Sequence, residues 1–167
     1  MERLFVAVWP PADIIEQLRS LPRKDQRGVR FIDPENWHIT LRFLGDVSIE
    51  SAGAALDLLD APAAIARLGP GVDLLGGRNL IVPVAGLDFL AADVRKCTGE
   101  VGEPDEHPFR GHLTIAKVKP RSTLPSAMGA FVDLTFTVHE VALVSSRLHP
   151  DGARYTTLET WPLQIAE

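Results

Sequence analysis

His38-Ile39-Thr40-Leu41 and His112-Leu113-Thr114-Ile115 are two copies of one polar–aliphatic phrase, set 74 residues apart. On a strand, alternation puts His38 and Thr40 on one face and Ile39 and Leu41 on the other, and His112 and Thr114 repeat that arrangement. A lone strand histidine is more often an ordinary half-buried residue than a catalyst. Two copies, separated by close to half of a 167-residue chain, point instead to an internal duplication that brings the phrases face to face. Two imidazoles so placed suit phosphodiester chemistry: the neutral one takes a proton from attacking water and the protonated one gives a proton to the leaving oxygen. The threonine hydroxyls and nearby backbone N–H groups can hold the non-bridging oxygens as negative charge builds. This scheme calls for no metal, and the sequence has no His-Glu-x-x-His, no paired CxxC and no aspartate cluster with ligand spacing. Nucleophile elbows and phosphate loops are also missing. His107, His139 and His149 stand outside the repeated phrase and are assigned to surface or packing positions.

Elements must then position these phrases. The pattern predicts a first strand over 3–9, a helix from Ala12 to Leu21 opened by Pro10-Pro11, and a short strand Val29–Ile32. A turn at Asp33-Pro34-Glu35-Asn36 delivers the chain into a strand Trp37–Leu44, which Gly45-Asp46 ends. Ser48 to Leu68 reads as a helix capped by Ser48 and kinked at Pro62, and Gly69-Pro70-Gly71 breaks it. Val72–Leu75 and Leu80–Val84 form a hairpin, and Leu87–Thr98 a helix. The strand His112–Val118 carries the second phrase. A short helix Pro125–Phe131, a bent β-rich stretch Leu134–Leu148 and a last strand Tyr155–Leu163 complete the chain. The order implies an α+β protein in which a bilobal pseudo-two-fold duplication sets two mainly antiparallel sheets around a central cleft, with helices outside. Residues 1–167 are expected to make one such domain.

Composition sets the boundaries of function. Hydrophobic residues at 46% and charged residues at 23% are ordinary for a globular protein, and no apolar run approaches a membrane span. The N-terminal apolar run is short and followed by no cleavage-type site, so it reads as a strand and not a signal peptide. A single cysteine, Cys97, is expected to be structural and fits a reducing cytoplasm. The net charge of −5 argues against non-specific coating of nucleic acid. Locally the balance differs: no acidic residue lies between Glu106 and Asp133, a stretch holding Arg110, Lys117, Lys119 and Arg121, and Arg19, Arg23, Lys24, Arg27 and Arg30 precede the first phrase. Both basic groups flank the same candidate site, which suggests a local anionic ligand.

The tandem phrases resemble the paired signature of the two-histidine phosphoesterase superfamily. The flanking residues are similar to its RNA 2′,3′-cyclic phosphodiesterase branch, of the LigT/ThpR type: Phe5-Val6-Ala7-Val8, Asn36-Trp37, Phe43-Leu44-Gly45, and Ser146-Arg147-Leu148 with Tyr155. The resemblance implies hydrolysis of a terminal 2′,3′-cyclic phosphate on RNA to a 2′-phosphomonoester, with His38 as proton donor, His112 as proton acceptor, and Thr40 and Thr114 positioning the phosphate. It also implies the reverse-type joining of RNA ends through a 2′,5′ linkage. Phe43, Lys117 and Arg110 would contact the substrate, no cofactor would be needed, and the protein would act as a cytoplasmic monomer without a membrane. Lys117 departs from the arginine common at its position, exchanging a planar stacking group for a point charge. Strict alternation sends Phe43 and Lys117, each five residues after its histidine, away from the histidine face, so a bulge or strand end must intervene. Two competing readings are a non-catalytic binder of RNA ends or nucleotides, and a sibling enzyme acting on a small nucleotide such as ADP-ribose 1″,2″-cyclic phosphate.

Overall fold

The computed structural model describes residues 2–165; Met1, Ala166 and Glu167 lie outside the described residues. Among the described residues ten strands run in one curled, mainly antiparallel sheet, with three α-helices: β1 Glu2–Val8, α1 Ala12–Leu18, β2 Val29–Phe31, β3 Ile39–Val47, α2 Ile49–Leu56, β4 Ala64–Leu68, β5 Asp73–Leu75, β6 Asn79–Ala85, α3 Asp88–Cys97, β7 His112–Val118, β8 Leu134–Val138, β9 Glu140–His149 and β10 Gly152–Pro162. The path across the sheet is β10-β9-β1-β3-β7-β6-β4-β8, with β2 beside β7 and β5 beside β6. β3 and β7 therefore lie at the centre, each leading a four-strand half, and the halves meet where Ile39 pairs with Leu113. That is the α+β, duplicated architecture implied by the element order, although the two expected sheets are joined at this seam into one.

All three helices send apolar side chains into the core on one side of the sheet: Ile14 and Leu18 from α1, Ala52 and Leu56 from α2, and Leu90, Ala91 and Val94 from α3. The opposite side carries the site. β1 shows why its sequence is a continuous apolar run: Leu4, Val6 and Val8 face the main core, while Phe5 and Ala7 join Ala142 and Val144 in a second cluster on the other face. A strand buried on both faces has no polar alternation to display.

Three expectations are corrected. The expected helix Ser48–Leu68 ends at Leu56, and Ala64–Leu68 is strand β4, paired residue for residue with β8 from Ala64–Val138 to Leu68–Leu134. Pro62 removes a helical N–H, and Ile65 and Arg67 point outward while Ala66 and Leu68 are buried, an alternation that cross-strand pairing rewards over the alanine helix propensity. Pro125–Phe131 is a run of turns with no helix. Its N–H and C=O groups are used across the chain, Gly129 donating to the Val72 carbonyl and Val72 to the Ala130 carbonyl, each at 2.9 Å. Finally, Gly45-Asp46 does not end β3. Gly45 adopts a positive φ of 83°, and β3 continues to Val47 with its register against β1 shifted at Leu44.

Candidate active site

Antiparallel pairing of Ile39 with Leu113 sets the geometry. Antiparallel direction about this pair runs the chain from Ile39 back to His38 in the sense in which Leu113 leads to Thr114, so the phrases are set head to tail. The side chains of His38, Thr40, His112 and Thr114 are all partly exposed, between fully buried Ile39, Leu41, Leu113 and Ile115.

The duplication extends to the irregularity demanded by Phe43 and Lys117. Against β1, Thr40 pairs with Ala7 but Arg42 with Val6, which leaves Leu41 as the extra residue; against β6, Thr114 pairs with Ile81 but Ala116 with Leu80, which leaves Ile115 extra. Both bulges fall three residues after the histidine. Each flips the alternation, so that His38–Leu44 and His112–Val118 share one pattern of burial, with Phe43 and Lys117 returned to the outer face. Phe43 sits opposite Phe5, whose ring stacks on His38 at 4.9 Å, and the Arg3 guanidinium lies 5.0 Å from the Phe43 ring.

Backbone carbonyls fix both imidazoles in the same way. His38 Nδ1 donates to the Asn36 carbonyl at 2.8 Å, and His112 Nδ1 donates to the Arg110 carbonyl at 2.7 Å. A carbonyl oxygen only accepts, so Nδ1 carries the hydrogen in each ring and Nε2 is the nitrogen left for chemistry. Arg110 thus contributes its main chain to the site; its side chain is exposed and forms no ion pair among the described residues.

The two rings differ in surroundings. His38 lies in an aromatic box of Phe5, Trp9 at 5.5 Å and Tyr155 at 5.1 Å, the last two presenting edges. Burial in this box pushes the His38 pKa below its ordinary value. The Asn36 carbonyl opposes that shift, while positive charge on His112 and Lys117 adds to it. Lys117 donates to Asn79 Oδ1 at 2.7 Å, and desolvation, with Arg30 nearby, lowers its own pKa. Among the described residues no group of three His, Cys, Asp or Glu side chains gathers as a metal-binding set.

The family described as LigT-like phosphoesterase matches residues 8–73. An Escherichia coli K12 protein named RNA 2′,3′-cyclic phosphodiesterase is 30% identical over 97% of each chain. This chain belongs to the LigT-like two-histidine phosphoesterases. Among solved structures, one from Thermus thermophilus superposes with a TM-score of 0.81 at 29% identity, covering 99% of this chain and 100% of the other. The Escherichia coli LigT crystal structure complexed with 3′-AMP gives 0.75 at 28% identity, covering 97% and 98%.

Sequence reasoning missed three residues that line this LigT-like site or support its strands from behind. Trp9 and Phe5 line the box around His38, and the available signal was an apolar first strand with no polar face, ending in Trp. Arg42 is the third: 4% exposed, it donates to the Thr98, Val101 and Glu103 carbonyls, tying the first histidine strand to the end of α3 and the loop that leads to the second.

Proposed function

We propose that this protein hydrolyses the terminal 2′,3′-cyclic phosphate of RNA to a 2′-phosphomonoester. Water attacks phosphorus as His112 Nε2 takes its proton; the P–O3′ bond breaks as His38 Nε2 gives a proton to O3′. Thr40 and Thr114 hold the non-bridging oxygens, which gain charge in the transition state. A ribose hydroxyl in place of water gives a 2′,5′ linkage by the same proton transfers run toward joining. The observation carrying this reading is the matched pair of carbonyl-anchored rings on adjoining strands, each with an Nε2 left for the substrate.

Intact histidine and threonine in both copies favour this over a binding module that has lost catalysis. Further support comes from the curated relative named for this activity. The depressed His38 pKa suits a donor that becomes protonated when the phosphate arrives, because an adjacent anion restores the charged form. The test is to incubate the purified protein with a 2′,3′-cyclic nucleotide in chelator and identify the product isomer. A 2′-phosphate supports the scheme. A 3′-phosphate reverses the leaving group, and activity that returns only with a divalent ion removes the metal-independent route.

A further inference from the structure

Beyond the histidines, the outer face of β7 continues as a row of cations. The bulge at Ile115 puts Lys117 on this face, and Lys119, two residues on, shares it. On β2, Arg30 is the direct partner of Lys117, and the ladder continues as Lys119 N–H donates to the Gly28 carbonyl at 2.8 Å. Gly28 has a φ of 83°, and a Cβ there would run into Ser122 Oγ, so the position opposite Lys119 is occupied by backbone alone. The result is a groove of roughly 460 Å³ lined by Gly28, Val29, Arg30, Lys117, Val118 and Lys119, with no carboxylate among its walls.

Position links this groove to the catalytic rings. Lys117 is close enough for its charge to depress His38, and Arg30 depresses Lys117 and acts on Tyr155, which touches His38 by its edge. The Arg30 guanidinium lies over the β9–β10 turn, where an added Cβ on Gly152 would be 3.9 Å from Nη1. None of the three cations is in an ion pair among the described residues. Two residues along a strand span about 6.8 Å, comparable with the step between phosphates of an extended single strand.

We propose that Arg30 and Lys119 form a subsite for the phosphodiester on the 5′ side of the terminal nucleotide, so that the strand leaves the catalytic rings along β7 and β2. This rests on the RNA-end reading and extends it from the reacting phosphate to the upstream backbone. The subsite contacts phosphate and not base, so it favours oligonucleotide over mononucleotide without selecting sequence. A cyclic mononucleotide has no upstream phosphodiester and bypasses it.

The test compares a 2′,3′-cyclic mononucleotide with a trinucleotide bearing the same cyclic end. In Arg30→Gln and in Lys119→Gln, the ratio of kcat/KM for trinucleotide over mononucleotide is expected to fall about fivefold, chiefly through KM. A second measurement needs no turnover: binding of a labelled trinucleotide ending in a 2′-phosphate, against one with neutral methylphosphonates upstream. The native protein should prefer the charged probe five- to tenfold, and Arg30→Gln/Lys119→Gln should bind both within twofold. An unchanged ratio in both single variants, or equal native affinity for the two probes, overturns the subsite. Failure of the RNA-end reading looks different: the cyclic mononucleotide is not hydrolysed at all, and the binding comparison still decides the groove.

Discussion

At the scale of single residues, the two histidines are fixed alike and surrounded differently. Both give Nδ1–H to a carbonyl two residues upstream, yet only His38 stands in an aromatic box. Replacing either His38 or His112 by Ala is expected to lower turnover roughly 10²–10⁴-fold with the fold retained, because each acts in a separate proton transfer at a partly exposed position. Steady-state kinetics and circular dichroism on the two variants check this. Thr40→Val and Thr114→Val keep shape and lose a hydroxyl, so smaller reductions are expected; parent-rate hydrolysis by both would remove the phosphate-holding role. The box makes a second prediction. Burial disfavours the imidazolium, so His38 in the free protein should titrate by NMR with a midpoint below 6.5 and be mostly neutral at pH 7. Bound phosphate favours the charged ring and must move the midpoint upward. The sign is fixed by linkage: if the anion raises the His38 pKa, its affinity strengthens as pH falls through the pKa of the complex and levels off below that of the free protein. A midpoint that stays put in saturating phosphate would place the anion away from this ring.

Elements decide which residues of the two phrases meet the substrate. A bulge three residues after each histidine turns Phe43 and Lys117 toward the cleft and turns Arg42, on the first strand, into the core. There its guanidinium satisfies carbonyls at Thr98, Val101 and Glu103, linking β3 to the segment that follows α3. Arg42→Met leaves those acceptors without their donor and is expected to cost about 2–4 kcal/mol in denaturant unfolding. A loss within ~0.5 kcal/mol would show that water takes the place of the guanidinium. Much of this level was legible in the sequence. The repeated tetrads located the central strands, and the five-residue offset of Phe43 and Lys117 required a break in alternation that the bulges supply. What stayed hidden depended on partners far along the chain. β4 was concealed because Ala64-Ile65-Ala66-Arg67-Leu68 continues an alanine-rich helical stretch, and only pairing with β8 makes it a strand. Trp9 could not be placed from spacing, since its role comes from β10, where Thr157 Oγ1 accepts its indole N–H at 3.0 Å. Nothing in the local sequence marks Arg42, because its acceptors lie about sixty positions away.

For the molecule as a whole, the halves are symmetric in backbone and asymmetric in charge. β3 leads from its histidine to an aromatic, Phe43, and β7 leads from its histidine to Lys117 and Lys119, while the chain carries a net charge of −5. An acidic protein with one short basic row holds a strand end and repels a long polyanion elsewhere. Lys117 is the cation nearest the rings, so Lys117→Ala is expected to raise KM more than it lowers kcat, and Lys117→Arg to restore binding through a planar group able to stack. Salt dependence reads the size of the contacted surface. With Arg30, Lys117 and Lys119 as the phosphate contacts, log affinity for a short single-stranded RNA end should fall against log salt with a slope of roughly −2, since each contact on a single strand adds about −0.7. Lys119→Gln should flatten that slope by about one contact. A duplex end should bind more weakly, because the terminal nucleotide must leave its stack to place its phosphate between the two histidines and its base near Phe43. Base identity should matter little, as an aromatic face accepts any base. Titrations of one RNA end across a salt series, with single-stranded, duplex and base-substituted versions, measure all of this together. A slope steeper than about −4, or strong selection for one base, would mean that the protein reads far more of the RNA than this row of cations touches.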